Sequence, residues 1–150
     1  MEVSELLNNY EKGQRDFAGA DLGGANLSGA ILIGVNMERA NLSGANLSRA
    51  FLTKATLKGA LMQRTNLSFA KMGEAKLSGA DLTKANLSGA FLVKAKMPRV
   101  KLSGATLTSA NLRSAVLWNA NLCSADLQLD RKSTRLNSSH RNTSRMPSSA

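Results

Sequence analysis

Histidine is missing from the first 139 residues of this 150-residue chain; the only one is His140. That stretch therefore lacks the side chain that most often serves as general base or metal ligand near neutral pH. There is one cysteine, Cys123, so no disulfide can close within the chain, in keeping with a reducing compartment. No apolar run approaches the ~20 residues needed to cross a bilayer. The N-terminus is acidic and lacks a basic start followed by an apolar core, so no signal peptide is visible. A soluble, cytoplasmic protein is expected. Phosphate-cradling and dinucleotide glycine fingerprints are absent as well.

Acidic residues are few, ten against twenty basic ones, for a formal charge of +10. Residues 1–14 carry −2 (Lys12 against Glu2, Glu5 and Glu11), residues 15–129 carry +8 (fourteen basic, six acidic), and residues 130–150 carry +4 (five basic, one acidic). What the chain does have is a five-residue beat. From Arg15 to Leu129, 23 units follow one another without a skipped residue, as in Ala-Asp-Leu-Gly-Gly (20–24) and Ala-Asn-Leu-Ser-Gly (25–29). Every residue whose number ends in 2 or 7, from Phe17 to Leu127, is Leu, Met or Phe. Two positions earlier stands a small residue, nearly always Ala; Arg15, Val35, Thr65 and Val100 depart.

A period of five suits neither a helix at 3.6 residues per turn nor a strand alternating every two. It suits a coil in which each pentapeptide forms one short side, the central residue and the small one facing in. On these residues the chain resembles the pentapeptide-repeat family, whose motif is Ala-(Asp/Asn)-Leu-X-X. The resemblance covers residues 15–129 and implies an all-β fold: a right-handed quadrilateral parallel β-helix, four pentapeptides per coil. At 20 residues per coil that makes about 5.75 coils, and at ~4.8 Å per coil a rod about 28 Å long. Residues 1–14 are expected to form a capping helix, N-capped by Ser4 and ended by Gly13, with Leu6, Leu7 and Tyr10 covering Phe17. The opening Glu-Leu-Leu-Asn-Asn-Tyr-Glu-Lys-Gly-Gln-Arg-Asp-Phe resembles cyanobacterial members of the family.

The beat stops at Leu129. Residues 130–150 have no apolar period, read as disordered, and resemble over Asp130–His140 the conceptual translation of a sequencing-library adapter. They are set aside from functional reasoning, and His140 with them. On that reading the native C-terminus lies beyond the sequence. The alternative for this tail is a basic arm for nucleic acid.

Sorted by position modulo twenty, the outward residues fall on four sides, here numbered from the one around Phe17. On the third side Asn26, Asn46, Asn66 and Asn86 stack in register beside Ser28, Ser48, Ser68 and Ser88, ladders suited to hydrogen bonding between coils. On the fourth side Ile31, Ile33, Phe51, Phe91 and Val93 stand where the repeat places polar residues, and Phe69 lies at the neighbouring corner beside Lys71. Such a patch marks a contact surface, or a stack of bulky residues that stabilises the coils. The first side carries Arg39, Lys58, Lys76, Lys96 and Arg99 against Asp16 and Glu38. It could follow phosphates, but no aromatic residues interleave for base stacking, and a solvated face that blunts aggregation is the alternative. Trp118 is read as a packing contact.

Asp16, Asp21, Asp81 and Asp126 occupy the Asp/Asn slot of the repeat and so form turns or surface, not acid–base pairs. Cys123 takes an outward slot without a base beside it, a weak nucleophile. No enzyme, cofactor or metal is expected. The leading expectation is a scaffold that binds a protein partner, or a second copy, through the apolar side. The resemblance implies an alternative, since some family members mimic DNA and modulate gyrase. Those do so with acidic surfaces, and this rod is basic. Direct nucleic-acid binding by the basic side is the third reading.

Overall fold

The computed structural model describes residues 1–129; the adapter-like tail falls outside them. Helix α1 spans Val3–Glu11. Glu2 holds the N-cap position without a side-chain bond, and Ser4 sits inside the first turn, so the expected cap at Ser4 is corrected by two residues. A capping bond contributes about 1 kcal/mol, less than burying the apolar face that fixes where the helix lies. Leu6 is buried, and Val3, Leu7 and Tyr10 pack part-buried against the core. Gly13, at φ +101°, takes the chain out of the helix. Tyr10 Oη donates to the Ile33 carbonyl at 2.7 Å. The Arg15 guanidinium stacks on the Tyr10 ring at 3.7 Å and donates to the Tyr10 carbonyl at 2.8 Å. Arginine is tolerated in this first small slot because it is exposed and clamps the cap.

Beyond the helix the chain is one coil repeated. Residues ending in 1 or 6 bridge in parallel to the residue twenty further on, from Asp16–Asn36 to Thr106–Asp126. Each 20-residue coil therefore holds four pentapeptides and four turns. Among the described residues no strand exceeds a single bridged residue. Each unit spends two residues on its turn and two facing inward, leaving one for the ladder. Leu22, Leu32, Leu47, Leu57 and the other central residues are buried, as are Ala40, Ala45, Ala50 and the later small residues. Only Ala20, Ala25 and Ala30, in the first coil, are part-exposed. Thr65, the one buried polar side chain among the described residues, bonds the Met62 carbonyl at 2.6 Å and the Leu42 carbonyl at 3.1 Å.

The backbone amides account for the sequence motif. In the unit around Leu22, Leu22 N–H and Gly24 N–H donate to Asn41 and Ser43 of the next coil at 2.7 and 2.8 Å, and Ala25 N–H closes the turn on the Leu22 carbonyl. One coil on, Asn41 N–H donates back to Ala20. The remaining amide, Gly23 N–H, points at the Asp21 carboxylate, 3.3 Å away. A buried or crowded N–H needs an acceptor, and Asp or Asn two residues earlier supplies one at a turn. The same bond recurs at Asn26–Ser28, Asn46–Ser48, Asn66–Ser68 and Asn86–Ser88. The third-side asparagines thus bond within their own coil, where bonds between coils were expected. Amide-to-carboxylate bonds between coils run instead from Asn36 to Asp16 and from Asn41 to Asp21, at 3.3 and 3.0 Å.

The corners carry strain. From Gly19 to Ser124, the residue two after each central one has φ between 57° and 73°; nine are glycine and thirteen carry a side chain, among them Lys54, Phe69, Glu74 and Lys94. A non-glycine residue there costs about 1 kcal/mol, so these side chains are placed against the preference of the backbone.

Candidate contact surface

The fourth side lies along the column Ile31, Phe51, Lys71, Phe91, each bridged to the next. All four stand in the Asp/Asn slot, so four consecutive coils give up the side-chain acceptor of the turn; Asn111 regains it, taking the Arg113 N–H at 3.1 Å. Ile31 is 58% exposed, Phe91 45% and Ile33 44%, while Phe51 and Val93 are half-buried. Phe69, 51% exposed, stands on the adjoining corner. The structure therefore places all six expected apolar residues on one side and its edge.

Their rings are seated, not dangling. A Cβ on Gly89 would meet Phe69 Cε1 at 2.5 Å, and one on Gly73 would meet Phe91 Cε1 at 3.2 Å. Each ring thus lies in the hollow that a neighbouring glycine leaves. Arg49 stacks over the Phe69 ring, and the Lys71 ammonium over the Phe51 ring, each at 4.9 Å. Cations at such distances are drawn to the ring face. The edge is an alternation of rings and cations, an arrangement that sequence reading by single sides missed. Leu61, 46% exposed on the second side, was also missed; it too occupies the Asp/Asn slot.

The expected basic side does not hold together as one stripe. Arg39 extends over Gly59, whose Cβ would lie 3.4 Å from Arg39 Cγ, with Lys58 exposed nearby. Arg99 stacks at 5.5 Å on Trp118, which accounts for Trp118 as a packing contact. Lys76 and Lys96, bridged to each other, join Lys54, Glu74 and Lys94 across the corner in a groove of about 380 Å³. Lys54 and Lys94 close the fourth side two residues before the column Thr56, Lys76, Lys96. Reading corners instead of sides would have found them.

A second groove, of about 610 Å³, is lined by Ser43, Gly44, Gln63, Arg64, Thr83 and Lys84. Beside it burial pushes the Asp81 carboxyl up, but bonds from Thr83 and Gln63, with Lys101 nearby, outweigh this and hold it below the usual carboxylate range. The bonds are Thr83 Oγ1 at 2.6 Å and Gln63 Nε2 at 2.7 Å. Asp81 is thus a tied turn former. Among the described residues no group of His, Cys, Asp and Glu could hold a metal ion. No described helix is long and apolar enough to cross a membrane.

A rod of stacked 20-residue coils, with a continuous apolar interior and all its variety outside, defines a solenoid repeat protein. The five-residue unit specifies which kind. The family model for pentapeptide repeats matches residues 20–59, 60–97 and 99–128, in eight copies, and the chain belongs to that family. Among solved structures it is similar to a pentapeptide repeat protein, Rfr23, from the cyanobacterium Cyanothece 51142: 28% identity, 85% of this chain and 98% of that one, TM-score 0.74. QnrB1, a plasmid-mediated fluoroquinolone resistance protein, is 21% identical over 85% of this chain and 80% of that one, at a TM-score of 0.50. HetL, from the cyanobacterium Nostoc and involved in heterocyst differentiation regulation, is 30% identical over 83% and 70%, at a TM-score of 0.28. No curated protein matches the chain.

Proposed function

We propose that the chain is a non-catalytic cytoplasmic scaffold, a right-handed four-sided β-helix that binds a protein partner or a second copy of itself through its fourth side. One observation carries this reading. Over the column Ile31, Phe51, Lys71 and Phe91, the residue that would bond the turn is replaced coil after coil by one that does not. Asp or Asn fills that slot in twelve of the other nineteen units and accepts the turn N–H in each, as turn stability favours. Stacking between coils explains part of the substitution, since the rings are seated on glycines, yet Ile31, Ile33, Phe69 and Phe91 still leave large apolar area in water. Contiguous apolar area of that kind marks contacts. The family's DNA-mimic reading gains no support, because the repeat is basic, at +8 over residues 15–129 by fourteen basic against six acidic residues. Sedimentation and pull-down with the wild type and with Phe51→Ser/Phe91→Ser test the proposal. Association that the two serines abolish supports it, and the absence of any association in the wild type sinks it.

A further inference from the structure

The groove on the corner between the fourth and first sides gathers Lys54, Lys76, Lys94 and Lys96 around one carboxylate, Glu74. Each lysine stands where the fold prefers something else. Lys76 and Lys96 fill the slot in which Asp or Asn would bond the turn. Lys54 and Lys94, at φ 60° and 61°, sit at corners where glycine is free of strain. Lys76 and Lys96, bridged one coil apart at a spacing of ~5 Å, also repel across the ladder, while Lys54 and Lys94 stand one coil to either side of Glu74. In the free rod each of the four lysines occupies a slot the backbone prefers for another residue. Repulsion adds to this at Lys76 and Lys96, and an anionic ligand would relieve the repulsion.

We propose that this groove holds the carboxylates of an acidic protein segment lying along the rod, whose apolar side chains rest on the fourth side. The proposal names the chemistry of the partner and rests on the reading of the fourth side as a contact surface. The groove borders aliphatic surface directly: Val93 precedes Lys94 on the same turn, and Ile33 lies on the same side. Glu74 within the groove opposes a phosphate track, and the neighbouring Phe91 ring is already seated against Gly73. Lysine heads are compact charges on flexible stems, suited to a run of carboxylates without fixed geometry.

Fluorescence anisotropy with labelled poly-L-glutamate, and with oligothymidylate of equal length, tests this on the full chain at low salt. The groove variant is Lys54→Gln/Lys76→Gln/Lys94→Gln/Lys96→Gln. Its control, of equal charge change, is Lys58→Gln/Arg64→Gln/Lys84→Gln/Lys101→Gln. Poly-L-glutamate should bind the wild type, lose about tenfold or more in affinity with the groove variant, and lose less than about threefold with the control. Binding should weaken as salt rises. No binding at low salt, equal loss in both variants, or tighter and more groove-dependent binding of the oligonucleotide would each overturn the proposal. So would a groove variant melting well below the wild type, which would make the lysines structural. Poly-L-glutamate has no apolar side chains, so a failure here leaves the serine test of the fourth side standing on its own.

Discussion

The third and fourth sides of the rod share one interior and one backbone. Leu27, Leu47, Leu67 and Leu87 face inward on one, Leu32, Leu52, Met72 and Leu92 on the other, all buried. Outside, the third side keeps Asn26, Asn46, Asn66 and Asn86 bonded to their turns. In the same slot the fourth side sets Ile31, Phe51, Lys71 and Phe91. The difference teaches that inward positions of this fold are dictated, while the outward slot is free to leave its structural role wherever something else is gained. A repeat protein whose coils contact only their neighbours can tolerate such local losses, because stability is close to a sum over units.

The largest effects should erase the comparison. Leu47→Ala on the third side and Leu52→Ala on the fourth each remove a fully buried side chain and should each cost about 2–5 kcal/mol. Denaturant unfolding should give two values within about 1 kcal/mol of each other. A much smaller cost on the fourth side would show that its interior is not equivalent.

Next comes a corner. Gly89→Ala adds left-handed strain, at φ +67°, and drives a methyl into the Phe69 ring 2.5 Å away, at a combined cost of about 2–4 kcal/mol. Gly29→Ala on the same side, with open space around its Cβ, should cost only about 1 kcal/mol. Adding Phe69→Ala to Gly89→Ala should recover part of the difference, read as non-additivity in a double-mutant cycle.

A smaller pair sharpens the contrast directly. Asn66→Ala removes the acceptor of the Ser68 N–H, a 3.0 Å bond, and should lower stability by about 1 kcal/mol. Lys71→Asn on the fourth side supplies that acceptor and should raise stability by about 0.5 kcal/mol. A loss at Lys71 would mean that its contact with Phe51 outweighs a turn bond.

The smallest effect separates a charged cap from an amide one. Asp81 has its folded carboxyl held below the usual range, so its contribution is present above the unfolded value of about 3.9 and lost as pH falls through the folded value. Asp81→Asn should flatten the fall in stability on acidification by about a few tenths of a kcal/mol, given the exposure of the group. The third-side asparagines have no such titration. A wild type and Asp81→Asn with parallel stability curves down to strongly acidic pH would contradict this.

The interior was legible in the sequence because one side chain in five must fill the coil, and a Leu, Met or Phe at every such position leaves no other register. The 20-residue coil was legible through the resemblance to the pentapeptide-repeat family, because a period of five alone sets no number of sides. The cap residues Leu6 and Tyr10 follow from the same burial as the interior. The helix start was not legible, since Ser4 is a good N-cap by local chemistry and only packing on the first coil decides otherwise. The lysine groove was hidden for a different reason. Lys54 and Lys94 belong to one side by sequence and to the next by geometry, because a corner residue projects across the turn. The seating of Phe69 on Gly89 and of Phe91 on Gly73 likewise depends on the coil stacked beside each ring.

The most direct test is to measure assembly and melting together on the wild type and on Phe51→Ser/Phe91→Ser. If the fourth side has given up turn bonds for contact, the serines should abolish association while the melting temperature moves by only a few degrees, about what two part-exposed rings contribute. A variant that associates like the wild type but melts far lower would contradict this, and would make the apolar column a brace between coils.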